Sequence, residues 1–379
     1  MKIAYIAPSR IPSQTANSVQ VMKVCQAFTQ LGNETQLLVP GAEGHQWSEL
    51  EEQYGVHTRF QIDWLHARSF LRKLDFNWNA VVKARNNGAE VIYTRLIWAA
   101  VFAMYQKLPV ILEMHEIPSG KFAPLLYKHY LSLSGKRLTV FITRALQKEI
   151  EKKLNIQHRS IETLIAPDGV DLERYTDLPS PDLARKTLGI KNTTTAAYSG
   201  GFYPGRGLEI LFDLAAAFPQ VQFMWIGGKP EILQDWKEKI SSAGLTNVIL
   251  PGFIANEKLP AYQAAADILL MPYRQKVAGS SGGDISSVTS PMKLFEYMAC
   301  GRAILCSDLP VLHEVLSDDL AVFYPPDDLP AMSAAFSRLL SNEKLRLSLA
   351  ENTRREVVRY TWRSRMQAIL HHFTEEIME

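Results

Sequence analysis

The chain has 379 residues, 41 Lys+Arg against 39 Asp+Glu, 47% hydrophobic and 21% charged residues. That composition excludes a disordered chain or a collagen-like repeat, and at roughly 100–200 residues per domain it predicts two self-sufficient cores. The net charge of +2 hides an asymmetry, since residues 1–170 carry 20 Lys+Arg and 14 Asp+Glu while residues 171–379 carry 21 and 25.

Short β-branched runs alternate with helical patterns along the chain, which predicts parallel sheets with crossover helices. The first half offers strands at Lys2–Ala7, Thr35–Val39, Glu90–Tyr93, Val110–Glu113, Thr139–Ile142 and Glu162–Ala166. A second series follows at Thr194–Ser199, Gln222–Ile226, Asn247–Leu250, Ile268–Met271, Ala303–Cys306 and Ala321–Tyr324. Pro167 to Lys191, rich in Pro, Asp and Gly, reads as an interdomain linker. The expectation is therefore two doubly wound α/β domains: residues 1–168, a linker over 169–191, and residues 192–359.

The longest apolar run, Ile97 to Tyr105, is too short to cross a bilayer, and Ile3 to Ala7 is too short for a signal segment, so a cytoplasmic protein is expected. Cys25, Cys300 and Cys306 lack the paired spacing of a zinc site and read as reduced, buried hydrophobes. Between Arg59 and Lys153 cations alternate with aromatics, as in Phe70, Arg72, Lys73, Phe76 and Trp78, and in Lys121, Phe122, Tyr127, Lys128, Tyr130, Lys136 and Arg137. Such a face suits peripheral association with an anionic membrane at its inner face; a solvated helical face is the plainer reading. Nucleic-acid binding would need a more basic domain and a reader motif, and neither is present.

In open α/β sheets, ligands bind beyond the C-terminal ends of strands, so the loops after these runs are where function is sought. After the first strand, Thr15, Ala16, Asn17 and Ser18 lead into a helix with Val21, Val24, Cys25 and Phe28 at helical spacing. Small residues there let helix-start amides approach a phosphate, and an N-cap by Asn17 or Ser18 is the plainer reading. No glycine fingerprint for a dinucleotide is present in this loop. The loop Ser199 to Glu209, with Gly200, Gly201, Gly205 and Gly207 around Arg206, allows close backbone approach and a bidentate guanidinium grip on phosphate.

Ser290, Pro291, Met292, Lys293, Leu294, Phe295 and Glu296 read as a helix start with proline at the first helical position and Gly301 as the stop. The helix dipole disfavours a cation in the first turn, so Lys293 there points to an anionic ligand, a diphosphate. Glu296, one turn on, is placed to accept two ribose hydroxyls; an exposed helical glutamate is the plainer reading.

On these residues the chain resembles a GT-B glycosyltransferase of family GT4, retaining enzymes that use nucleotide sugars without a metal. The carriers are Ala166–Asp171, Gly200–Gly207, Val221–Gly228, Pro251–Phe253, Ala266–Tyr273 and Ser290–Pro310 with Glu314, and Tyr360-Thr361-Trp362 at the opening of a final helix. The resemblance covers essentially the whole length. It implies two Rossmann-like domains facing across a cleft, the first binding acceptor and the second nucleotide sugar, with a C-terminal helix over 360–379 crossing back. It further implies that Glu296 binds ribose, Arg206 holds the diphosphate, His115 approaches the donor sugar, and Ile254 contacts the base. Tyr273 falls in a matched segment and is placed with the donor residues, and Thr15 to Ser18 take the place of the family's glycine-rich acceptor and phosphate loop.

Three departures stand out. The first glutamate of the family pair is Val288 here, leaving sugar contacts to Asp284 or to amides near Lys293. A usual arginine is Gly200 or Gly201, and the first loop lacks its glycines. The expected activity is transfer of a hexose from a UDP-hexose such as UDP-glucose, or from GDP-mannose, to a polysaccharide or lipid-linked glycan, with His115, Arg206 and Lys293 as catalytic groups and no metal or other cofactor. A UDP-sugar 2-epimerase of the same fold, or a non-catalytic two-lobed sugar-binding protein, are the alternatives.

Overall fold

The alternation resolves into two wholly parallel sheets in a computed structural model that describes residues 1–67, 74–278 and 283–378. Contacts divide the chain into one unit of Met1–Asp168 with the residues from Thr361 onward, and a second of Gly169–Tyr360.

The first unit's sheet contains β1 (Lys2–Ile6), β2 (Glu34–Pro40), β3 (Gln61–Leu65), β4 (Val91–Thr94), β5 (Val110–Met114), β6 (Arg137–Phe141) and β7 (Thr163–Ile165). Their order is β3-β2-β1-β4-β5-β6-β7, so the winding reverses between β1 and β4. Central strands carry near-continuous apolar runs because helices cover both faces. β1, β4 and β5 are accordingly buried almost throughout. Tyr5 and Phe28 each set a ring edge-on to Tyr93, at 4.9 and 5.2 Å.

The second unit's sheet contains β8 (Thr195–Ser199), β9 (Gln222–Ile226), β10 (Val248–Gly252), β11 (Ile268–Met271), β12 (Ala303–Ser307) and β13 (Val322–Tyr324). The order β10-β9-β8-β11-β12-β13 reverses between β8 and β11. Its core includes Trp225, Phe223, Leu211 and Phe336, all fully buried, each such side chain contributing about 1.5–3 kcal/mol.

The sequence missed β3. It is an edge strand with a half-buried pattern, and its Asp63 is engaged by Gln36 at 2.5 Å and Lys83 at 2.6 Å, so it shows no apolar run. The segment expected as a linker is structured and groups with the second unit. Ser180 caps a helix over Pro181–Leu188, and buried Arg185 of that helix pairs with Asp267 at 2.8 Å. The final helix, Trp362–His372, is capped by Thr361, groups with the first unit and packs on the helix Ala16–Gln30.

Burial also corrects the basic, aromatic pattern. Phe76, Tyr127, Tyr130 and Arg137 are buried, whereas Trp78, Lys121, Phe122, Lys128 and Lys136 are exposed. Phe70, Arg72 and Lys73 lie outside the described residues. All three cysteines are free and buried.

Candidate functional site

The second unit gathers its glycine-rich loop and the helix Met292–Cys300 beyond the ends of β8 and β11, on either side of the winding reversal. Gly200 follows β8 with φ +142°, and its N–H bonds the Ile226 carbonyl at 2.9 Å. A Cβ there would stand 2.7 Å from Lys293 Nζ, so glycine leaves the lysine its place. Gly207, at φ +81°, approaches the Pro272 carbonyl so closely that a Cβ would lie 1.7 Å from that oxygen. Arg206, between Gly205 and Gly207, lays its guanidinium over the Tyr273 ring at 5.0 Å.

Helix Met292–Cys300 buries Leu294, Phe295, Tyr297 and Met298 and ends at Gly301 with φ +62°. Pro291 is the N-cap rather than the first helical residue, so the helix starts one residue later than its sequence suggested. Lys293 lies in the first turn. The residue as a whole is half-buried, but its Nζ is shut from solvent and has no hydrogen-bond partner among the described residues. The ammonium rests 3.8 Å from the Tyr198 ring centroid and 5.5 Å from that of Tyr273. Burial, followed by the Arg206 charge, pushes it well below the ordinary lysine value, with Glu296 opposing. Two cations converge where the helix dipole already contributes positive potential, an arrangement that calls for a multiply charged anion.

Glu296 is half-buried and oriented rather than an exposed surface residue. Gln263, fully buried, donates through Nε2 to Glu296 Oε2 at 3.2 Å and to Ser199 Oγ at 3.0 Å. Its Oε1 accepts from the Tyr175 hydroxyl at 2.9 Å. Sequence reasoning singled out neither Gln263 nor Tyr175, which lie in no motif. Ser290 and Val288 are buried beside this helix, Tyr273 follows β11, and half-buried Ile254 follows β10 next to exposed Phe253. Asp284 Oδ1 accepts the N–H groups of Val277 and Ser286 at 3.1 and 2.9 Å, so this carboxylate closes a turn. The Ser286 N–H in particular holds it below its ordinary pKa.

In the first unit the loop after β1 starts helix Ala16–Gln30. Thr15, not Asn17 or Ser18, is the N-cap, accepting from the Ser18 N–H at 3.3 Å. Ser18 Oγ turns back to the Ser13 and Thr15 carbonyls, both at 2.8 Å, and Asn17 Oδ1 accepts from Arg95. Arg95, unmarked in the sequence reading, follows β4 at the winding reversal.

His115 follows β5 with its Nε2 on Glu113 Oε1. Glu113 also receives Gln20 at 2.6 Å, Arg365 at 2.8 Å and the Tyr93 hydroxyl. Burial alone would raise Glu113, but the Arg365 guanidinium and His115 hold it well below its ordinary value. Burial and then Arg95 bring His115 down to about 4, so the ring is neutral at pH 7. A neutral ring facing a carboxylate donates through Nε2–H and leaves Nδ1 as an acceptor.

Residues 193–342 match the family model described as glycosyl transferases group 1. The phosphatidyl-myo-inositol mannosyltransferase of Mycolicibacterium smegmatis is 25% identical over 58% of this chain and 54% of its own. The 2-deoxystreptamine glucosyltransferase of Streptomyces kanamyceticus is 23% identical over 73% of this chain and 80% of its own. The chain spans about half the length of most curated relatives it matches. The fold is that of Anabaena HepE, a structure in complex with UDP, at a TM-score of 0.75 and 18% identity over 99% of this chain and 100% of the other. Residues 193–342 thus carry the domain of the glycosyl transferases group 1, and the chain as a whole has the GT-B fold.

Proposed function

We propose that the protein transfers a hexose, with retention, from a UDP-hexose such as UDP-glucose or from GDP-mannose to a hydroxyl of a polysaccharide or lipid-linked glycan. The observation that carries this reading is the buried ammonium of Lys293, beside Arg206 at the start of a helix and without a hydrogen-bond partner among the described residues. An ammonium buried without a hydrogen bond is unfavourable by several kcal/mol, and a diphosphate resolves it. Lys293, Arg206 and the helix amides hold the two phosphates and stabilise the charge that develops as the nucleoside diphosphate departs. Gly200 and Gly201 let the backbone close on that group, Glu296 takes the ribose hydroxyls and Ile254 meets the base through its backbone. Because these groups supply the positive charge, no metal is required.

No protein nucleophile is assigned. The acceptor hydroxyl attacks from the face the leaving group vacates and passes its proton to a β-phosphate oxygen. His115, neutral and with Nδ1 as an acceptor, orients a sugar hydroxyl rather than removing a proton.

Calorimetry with UDP-glucose and GDP-mannose in excess chelator, followed by product analysis with a glycan acceptor, tests the reading. Binding that persists in chelator and a product with retained anomeric configuration are expected. Loss of affinity on chelation would overturn the metal-free mechanism, and failure to bind either nucleotide sugar would overturn the donor site.

A further inference from the structure

Three helices of the first unit, Leu74–Asn86, Ile97–Tyr105 and Ala123–Ser132, pack side by side and leave large apolar side chains in solvent. Trp78 is 47% exposed, Trp98 39%, Tyr105 57%, Phe122 68% and Leu125 65%. Their placement makes one surface. Trp98, Phe102 and Tyr105 recur at the spacing of one helix face, and so do Phe122, Leu125 and His129. Trp78 and Trp98 both meet the Phe102 ring, at 5.4 and 5.6 Å. Tyr105 reaches across to His129, its hydroxyl 2.5 Å from Nε2.

Lys128, exposed, stands three residues after Leu125 on the same stripe, and exposed Lys121 lies in the turn that leads into this helix. Lys107 and Lys136 are exposed on the segments that follow the second and third helices. No carboxylate lies within Ile97–Tyr105 or Ala123–Ser132. Rings and aliphatic chains standing out of a surface bordered by lysines match the headgroup level of an anionic bilayer, with apolar tips below the phosphates and ammonium groups beside them.

We infer that this three-helix face docks the protein on an anionic lipid surface, with Phe122 and Leu125 as the inserting side chains and Lys121 and Lys128 as their electrostatic partners. The inference does not rest on the proposed transferase activity. The face keeps Trp78, Lys121, Phe122, Lys128 and Lys136 of the pattern read in the sequence, loses Phe76, Tyr127, Tyr130 and Arg137 to the core, and gains Trp98, Tyr105 and Leu125.

Flotation with phosphatidylcholine vesicles, with and without phosphatidylglycerol, tests it. The full chain should float with the anionic vesicles at low salt, less at high salt, and not with phosphatidylcholine alone. K121E/K128E should weaken partitioning by about tenfold or more, since each cation at an anionic surface contributes ~1 kcal/mol. F122S/L125S should weaken it at both salt concentrations. Thermal unfolding and nucleotide binding, read in parallel on the same variants, should be unchanged, which separates failure of this inference from failure of the donor site. Equal flotation of wild type and variants, or no flotation of the wild type, would overturn it. So would a concentration-dependent dimer that F122S/L125S abolishes without any vesicle binding, since a second copy would then be the occupant.

Discussion

Gln263 holds Glu296 from below: its amide donates to the carboxylate at 3.2 Å and is itself fixed by Ser199 and the Tyr175 hydroxyl. A carboxylate held in place this way loses little rotamer entropy if it takes part in binding. Glu296→Ala should therefore fold normally and bind UDP or GDP on the order of a hundredfold more weakly, since hydrogen bonds to a charged group contribute ~1.5–3 kcal/mol. Glu296→Gln, which keeps the shape and loses the charge, should fall between. A 2′,3′-dideoxy nucleotide should bind wild type and Glu296→Ala alike. Equal binding of the natural nucleotide by both proteins would return Glu296 to an ordinary helix residue.

Lys293 gives a prediction in which stability and binding move in opposite directions. Its folded pKa lies well below its ordinary 10.5, chiefly through burial. Between those two values the unfolded chain holds a proton that the ligand-free native state lacks. Stability should therefore rise with pH across that window, and the penalty is full below the folded value. Lys293→Met should raise the melting temperature of the free protein at neutral pH and abolish tight binding of a nucleoside diphosphate. Within that same window wild type should take up protons as it binds, seen calorimetrically as a dependence of the heat on the buffer's ionisation enthalpy. A variant less stable than wild type, with unchanged affinity, would remove Lys293 from the site.

The fold was legible where burial on both faces forces an apolar run. β9 and β11 coincide with the sequence expectation residue for residue, because Gln222–Ile226 and Ile268–Met271 are buried throughout. β3 was not legible, because an edge strand with one wet side needs no such run. Lys293, Arg206 and Glu296 could be picked out because a helix start and a glycine-rich loop leave local marks. Gln263 left none. Its partners Tyr175 and Glu296 are 88 and 33 residues away, and a lone glutamine between apolar residues looks the same whether it is exposed or wired into a site. The Glu113 cluster was hidden for the same reason: Gln20, Tyr93 and Arg365 converge on it only through the order of the strands and the final helix.

Asp168 is buried in the first unit with its carboxyl raised from 3.8 to about 7, mainly by burial, with Arg365 opposing and Glu113 adding to the effect. A raised folded value means the native state binds the extra proton, so this stabilisation is full below about 3.8 and is lost as pH rises toward 7. Asp168→Asn keeps the shape and removes the ionisation. It should be more stable than wild type at pH 8, by up to roughly 4 kcal/mol, and near neutral at pH 4. His115, lowered to about 4, tilts the other way between about 4 and 6.5. The variant's stability should therefore climb more steeply with pH there than that of wild type. Denaturant midpoints measured from pH 4 to 8 decide the matter, and parallel profiles for the two proteins would refute it.

Two glycines of the same loop should respond differently to one added methyl group. At Gly207 the new Cβ would meet backbone, 1.7 Å from the Pro272 carbonyl oxygen and 2.7 Å from its carbon, at a φ of +81° that L-residues rarely adopt. Neither partner can move without shifting the segment after β11. Gly207→Ala should cost about 3 kcal/mol or more, seen as a lower melting temperature whether or not ligand is present. At Gly200 the nearest atom is the Nζ of Lys293, 2.7 Å away at the far end of a flexible side chain. That tip can swing aside, leaving mainly the strain of φ +142°, so Gly200→Ala should cost about 1–2 kcal/mol. The displaced ammonium would no longer stand where the diphosphate needs it, and affinity for UDP or GDP should fall by about tenfold or more, as for loss of one charge-assisted hydrogen bond. Unfolding and calorimetry on the two variants separate the effects. If Gly200→Ala bound nucleotide as tightly as wild type, Lys293 would not be a phosphate ligand, and Gly200 would be needed only for the turn it makes after β8.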